Sequence, residues 1–324
     1  MLLYSRLKAF PCISSLKYWK HSLPYSSFAP ISNKKTTLLT LQKKYQEKAP
    51  ISMITAYDYP TGLAANNSTV DTVLVGDSLA MTCLGYSSTH QLSLDTMIHH
   101  CAAVSRALSH PFLIADLPFG SYNCSNSQAI NSAIAIVQKG QAECVKLEGG
   151  SSIIIERINN IVKAAGIPVC AHIGLTPQYS SSLGGFKVQG KTLKQAQSLF
   201  DQALALQNAG VSLIVLEAVP EIVGKAITRI LEIPTIGIGA GRFTSGQVLV
   251  ISDIVDINNS TAAPKFVKKY ASLGKAYSDA INQYAQDVSQ RIYPDPSAHN
   301  YAIPQKNEDE IKDYLLKQYL IQLD

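Results

Sequence analysis

No acidic residue occurs in the first 46 positions of this 324-residue chain, although eight lysines and arginines do. The first carboxylate is Glu47. The remainder carries 20 basic against 23 acidic side chains, a formal charge of −3, so the overall +5 is a property of the leader. It gives no reason to expect a nucleic-acid partner. Basic, Ser-containing, acid-free N-termini have the composition of organellar import signals, and residues 1–46 are expected to be a mitochondrial presequence directing the protein to the matrix.

Long apolar runs are missing too. Each is broken by a charge, Gly or Pro well before the roughly 20 residues that a membrane-spanning helix needs, so neither a transmembrane segment nor a membrane partner is expected. The six cysteines, Cys12, Cys83, Cys101, Cys124, Cys144 and Cys170, form no CxxC pair. That spacing argues against a zinc ribbon or a disulfide framework. Cys144 and Cys170 fall in apolar runs and read as small core residues. Nucleotide fingerprints of the GxGxxG or GxxxxGKS type are absent, and GIGAG at 237–241 is too weak to stand for one. Its glycines are expected to let backbone approach a ligand.

What is present is alternation of short β-rich runs with longer helical segments. Strands are expected at 51–57, 72–76, 112–116, 143–148, 167–173, 212–217, 233–239 and 250–257. Helical segments fill the intervals, two of them running into Gly, a frequent helix stop. Eight such repeats predict a closed (β/α)8 TIM barrel at 47–294, a single α/β domain, followed by a linker and helix at 295–324.

In a (β/α)8 barrel, chemistry gathers at the C-terminal ends of the strands. Read in order, those ends carry Asp58, Asp77, Asp116, Lys146 with Glu148, His172 and Glu217. Period-2 alternation turns Lys146 and Glu148 to the same side of their strand. Singly, each residue has a structural reading: Asp58 as a helix cap, His172 as a hydrogen-bonded core histidine, Lys146 and Glu148 as an ion pair. Together, four carboxylates in one low-dielectric cup repel one another unless protons or a cation intervene. Hard oxygen donors with room for water and substrate suit Mg²⁺, a structural cluster being the alternative.

The runs MITAYDYP, VLVGDSLAM, ADLPFGSY, VKLEGG, VCAHIGLTPQ, GGFKVQG, VLEAVP and IGIGAG, in this order and spacing over roughly 50–295, resemble ketopantoate hydroxymethyltransferases. The resemblance implies a Mg²⁺-dependent enzyme that moves a hydroxymethyl group from 5,10-methylenetetrahydrofolate to 3-methyl-2-oxobutanoate through an enolate, giving 2-dehydropantoate for pantothenate and coenzyme A. Carried over by position, Asp77, Asp116 and Glu148 are implied metal ligands and Glu217 the general base. Ser78 and Lys146 are implied contacts for the oxo acid, with Asp77, Asp116 and His172 also lining its site; the role of His172 is left open. Ala80, Tyr86 and Ser252 depart from the family pattern. A homo-oligomer is implied as well.

The long stretch 174–190 after the fifth strand has the Gly and Ser content of a mobile lid. Ser93 is expected to cap the helix that follows it. Apolar residues from Phe266 to Ile292 recur at three- and four-residue steps, a stripe for barrel packing or a subunit interface. Two other readings compete: a Mg²⁺-dependent carbon-carbon lyase or phosphonomutase-like oxo-acid enzyme, and a non-catalytic scaffold barrel. The first lacks its lid cysteine here, and the second has no use for clustered buried charge.

Overall fold

Alternation along eight short strands sorts the apolar side chains into two layers. The computed structural model describes residues 34–258 and 263–323. The strands are β1 (Ile51–Thr55), β2 (Thr72–Val75), β3 (Phe112–Asp116), β4 (Cys144–Glu148), β5 (Val169–Gly174), β6 (Leu213–Glu217), β7 (Thr235–Ile238) and β8 (Gly246–Leu249). All pair in parallel with their sequence neighbours, and β8 pairs with β1 to close the barrel. Met53, Leu74, Phe112, Ile114, Cys144, Cys170, Leu213, Val215, Ile236 and Val248 fill one cluster, whereas Val73, Leu113, Val145, Leu147, Ala171, Ile214 and Leu216 join the helices in another. Residues of the two clusters alternate along β1 to β6, as the period of 2 requires, and β7 and β8 contribute to the first cluster.

The helices are α1 (Leu38–Gln46), α2 (Tyr59–Asn66), α3 (Leu79–Thr82), α4 (Leu94–Ser105), α5 (Asn126–Gly140), α6 (Ser152–Asn160), α7 (Ser180–Leu183), α8 (Leu193–Asn208), α9 (Glu221–Ile230), α10 (Ile251–Ile254), α11 (Leu273–Ser289) and α12 (Gln305–Tyr319). Polar side chains start several of them as expected from sequence. Ser93 accepts from the Thr96 N–H at α4, and Asp58 forms a capping box with Thr61 at α2.

Two boundaries differ from the sequence reading. Residues 34–46 belong to the folded unit, not to the leader. Leu41 of α1 is buried in the inner cluster, Lys44 pairs with Asp71 at 2.5 Å, and the Tyr45 hydroxyl donates to the Leu231 carbonyl at 2.7 Å. The lack of acids there had grouped this packed helix with the basic segment before it. The rest of the expected leader, 1–33, lies outside the described residues.

The eighth strand, expected at 250–257, is β8 at Gly246–Leu249, and Ile251–Ile254 is helical. Ile251, Ile254 and Val255 satisfy both a strand and a helix pattern over so short a run, and tertiary pairing decides between them. No helix intervenes between β7 and β8. Gly246 makes this closure possible, because a Cβ there would lie 2.3 Å from the Ile51 carbonyl oxygen of β1.

The apolar stripe of α11 does not pack on its own barrel. Tyr277, Ile281 and Tyr284 are more than half exposed, and the backbone ties are at its start, where the Leu273 N–H donates to the Val255 carbonyl at 2.8 Å. Helix α12 buries no residue.

Candidate active site

Strand stagger places the polar residues in one group at the C-terminal end of the barrel. Asp116, the last residue of β3, lies opposite Lys146; two residues on, Glu148 lies opposite His172 of β5; Gly174, which ends β5, lies opposite Glu217 of β6. Below them on the same inward face are Cys144 and Cys170, small enough to leave the bottom of the barrel to apolar packing. After β2 the chain turns, and the Asp77 N–H donates to Asp116 Oδ2 at 2.9 Å. Asp77, Asp116, Lys146, Glu148 and His172 are all buried. The Glu217 side chain retains 16% exposure and opens toward the barrel mouth.

The charges interlock. Lys146 Nζ stands 3.0 Å from Asp116 Oδ1 and 3.3 Å from His172 Nδ1. His172 bridges two acids, Nδ1 lying 3.4 Å from Glu148 Oε1 and Nε2 3.2 Å from Glu217 Oε2. The ion pair therefore joins Lys146 to Asp116, on the preceding strand β3, and not to Glu148 on its own strand.

Burial raises the Asp77 carboxyl well above the usual range, and the negative Asp116 and Glu148 add to the rise. Burial also raises Asp116, against the pull of Lys146. Glu148 moves the other way: burial opposes its charge, but the hydrogen bond and charge of His172, with Lys146, outweigh it and lower its pKa. For Lys146, burial acts against the ammonium, yet Asp116, Glu148 and Asp77 hold the proton more firmly than usual. Burial and Lys146 disfavour the His172 imidazolium, but Glu148 and Glu217 push its pKa up to about 9.

Four carboxylates thus face two cationic groups, an excess of acid that a proton or a metal ion can neutralise. Among the described residues, no three ligating side chains are gathered as a ready cation cage. The donor chemistry nonetheless fits a hard divalent ion, since Asp77, Asp116 and Glu148 are buried and offer only carboxylate oxygens.

Other expected positions are resolved equally directly. Half-buried Ser78 shares a 2.8 Å hydrogen bond with the Tyr57 hydroxyl at the mouth. Asp58 is an exposed helix cap away from the cluster. The glycines of GIGAG serve protein packing: a Cβ at Gly239 would lie 2.6 Å from the Phe266 ring, and one at Gly241 would lie 2.4 Å from Glu221. The 174–190 stretch enters the site through a short 3-10 turn, Pro177–Tyr179. There, buried Gln178 hydrogen-bonds to Asp77 and Glu148. A survey of charged strand ends passes over Gln178 because it is uncharged and lies in a loop. Its only sequence signal is its place in the LTPQ run.

A buried acid-lysine-histidine cluster at the C-terminal rim of a (β/α)8 barrel lies where enzymes of this architecture carry their active sites. The family model described as ketopantoate hydroxymethyltransferase matches residues 35–296. A rice protein named 3-methyl-2-oxobutanoate hydroxymethyltransferase 2, mitochondrial, is 46% identical over 279 residues, covering 85% of this chain and 70% of that one. A Thermoanaerobacter sp. protein of the same enzyme name is 46% identical over 275 residues, covering 84% and 98%. The chain belongs to the ketopantoate hydroxymethyltransferase family and is a hydroxymethyltransferase. An Arabidopsis relative, 44% identical over 275 residues, covering 84% of this chain and 79% of that one, is also named mitochondrial.

Among solved structures, a phosphonopyruvate hydrolase complex with oxalate and Mg²⁺ aligns with TM-score 0.53 and 13% identity, covering 88% of this chain and 99% of that one. A 2,3-dimethylmalate lyase of the PEP mutase/isocitrate lyase superfamily aligns with TM-score 0.53 and 14% identity, covering 86% and 98%. At such identities the likeness concerns the fold.

Proposed function

We propose that this protein transfers the one-carbon unit of 5,10-methylenetetrahydrofolate to 3-methyl-2-oxobutanoate, giving 2-dehydropantoate on the route to pantothenate and coenzyme A. The observation that carries the reading is the division of the rim: three buried carboxylates and a lysine lie on one side, and Glu217, partly open to the mouth, is joined to them through His172. Asp77, Asp116 and Glu148 would hold Mg²⁺. When bound, that ion polarises the carbonyl of the oxo acid and makes its C3 proton more acidic.

Lys146 and Ser78 supply the positive charge and hydroxyl that orient the anionic end of the substrate. Glu217 takes the proton from C3, and its Oε2 is kept in place by His172 Nε2 at 3.2 Å. The methylene carbon exchanges its two bonds to folate nitrogen for one bond to C3 and one to a water oxygen, and tetrahydrofolate leaves with its two nitrogens protonated, one by the C3 proton taken up by Glu217 and one by the second proton of that water. The lid limits access of water to the carbanion meanwhile. The family relationship favours this transfer over lyase chemistry on the same fold. The acid-free leader supports delivery to the mitochondrial matrix, and the exposed stripe of α11 supports a homo-oligomer.

The test incubates the full chain with 3-methyl-2-oxobutanoate in deuterated buffer, with and without Mg²⁺, and follows the C3 proton by NMR. Exchange is expected with metal, and Glu217→Gln is expected to slow it by about 10²- to 10⁴-fold. Undiminished exchange in that variant rules out Glu217 as the base; no exchange in the folded wild type with any divalent metal rejects the reading.

A further inference from the structure

Gln178 has a position that a lid residue does not need for lid closure alone. It is 3% exposed and reaches four separate parts of the site. Its backbone N–H donates to Glu148 Oε2 at 2.9 Å, and its side-chain Nε2 donates to Asp77 Oδ2 at 2.8 Å and to the Leu117 carbonyl at 3.1 Å. Its Oε1 accepts from the Tyr122 hydroxyl at 2.6 Å, and its backbone carbonyl accepts from His90 Nε2 at 2.7 Å. The Leu117 carbonyl fixes the amide orientation, because a carbonyl can only accept, so the nitrogen must face it.

We infer that Gln178 is a positioning residue for the divalent cation, holding one oxygen of Asp77 and one of Glu148, whose other oxygen faces His172, and coupling cation binding to closure of the lid. The inference rests on the metal reading above and assigns a role within it. Tyr122, at the far side of the carboxamide, sets its orientation. Groups that orient ligating carboxylates in this way control affinity as well as geometry. The coupling is reciprocal: an ion that favours the held arrangement of Asp77 and Glu148 also favours the Gln178 contacts that anchor the start of the lid.

The probe is Mn²⁺, titrated into the EDTA-treated full-length protein and followed by electron paramagnetic resonance of the free ion. Gln178→Met, similar in length, keeps the backbone N–H to Glu148 but loses the amide that holds Asp77, and is expected to bind Mn²⁺ about 10- to 100-fold more weakly than wild type. Tyr122→Phe, which removes only the hydroxyl that orients the amide, is expected to show a smaller loss. The second readout is tryptic cleavage after the exposed Lys187 of the lid: Mn²⁺ should slow it in wild type and not in Gln178→Met.

Three results overturn the inference in distinguishable ways. If wild type binds no Mn²⁺, the metal reading fails and this one with it. If wild type binds it and both folded variants match its affinity within twofold, Gln178 has no positioning role. If affinity falls but Mn²⁺ protects the lid equally in wild type and Gln178→Met, the coupling to the lid is wrong. Should Gln178→Met not fold, as judged by circular dichroism, Tyr122→Phe carries both readouts.

Discussion

Replacing Lys146 by methionine keeps much of the side chain's length and apolar volume but removes the charge that faces Asp116 Oδ1 at 3.0 Å. Both side chains are at most 5% exposed, so water cannot take over the role of the ammonium. At an effective dielectric constant of about 20, two unit charges at this separation attract by roughly 5 kcal/mol. Measured losses on breaking one side of a buried pair are about 3–5 kcal/mol. Lys146 also offsets the mutual repulsion of Asp77, Asp116 and Glu148, so the larger figure applies where all three are charged. For a barrel of this size each kcal/mol shifts Tm by about 2–4 °C, and the expected fall is on the order of 10 °C in EDTA-treated protein by scanning calorimetry. Two controls separate charge from packing. Adding Asp116→Asn to Lys146→Met should restore part of the lost Tm, because the carboxylate left unpaired is gone. Mg²⁺ should stabilise Lys146→Met by more degrees than it stabilises wild type, since an ion then supplies the missing positive charge. A Tm within about 2 °C of wild type without metal would refute the electrostatic reasoning.

Two further outcomes follow from single contacts. Gly174 has φ +96°, and a Cβ there would lie 2.3 Å from the Glu217 carbonyl oxygen. Gly174→Ala should therefore cost on the order of 2 kcal/mol in denaturant unfolding and reduce C3 proton exchange beyond what its lost stability explains, by displacing Glu217; unchanged values on both would refute the contact's importance. In cation-free protein the folded-state pKa of His172 is raised from 6.5 to about 9. The stabilisation is fully present below about pH 6.5 and is lost as pH rises through about 9, a total near 3 kcal/mol. Unfolding free energies measured across this range should decline with pH in wild type more than in His172→Gln, and parallel curves would count against the His172 bridge.

How far the site could be read from sequence depended on its chemistry. Asp77, Asp116, Lys146, Glu148, His172 and Glu217 are charged or titratable residues at strand ends, where period-2 alternation and the barrel rule together predict an inward-facing rim. Their pairing could not be read in that way. Lys146 and Glu148 are neighbours on one strand, yet the stagger between strands gives Lys146 to Asp116 and Glu148 to His172. Gln178 escapes such a survey because a neutral amide in a loop becomes part of the site only through its tertiary contacts with Asp77 and Glu148.

The sequence alone determined the strand and helix alternation, the inward set of polar residues and the chemical types available at the rim, because these depend on local periodicity and side-chain chemistry. Only the tertiary structure decided that residues 34–46 pack with the barrel, that β8 lies at Gly246–Leu249 with helix immediately after it, and that the stripe of α11 is left exposed by its own chain. Each of those depends on what a segment packs against, and a short run whose pattern suits two conformations takes the one that its partners in the fold bury and hydrogen-bond.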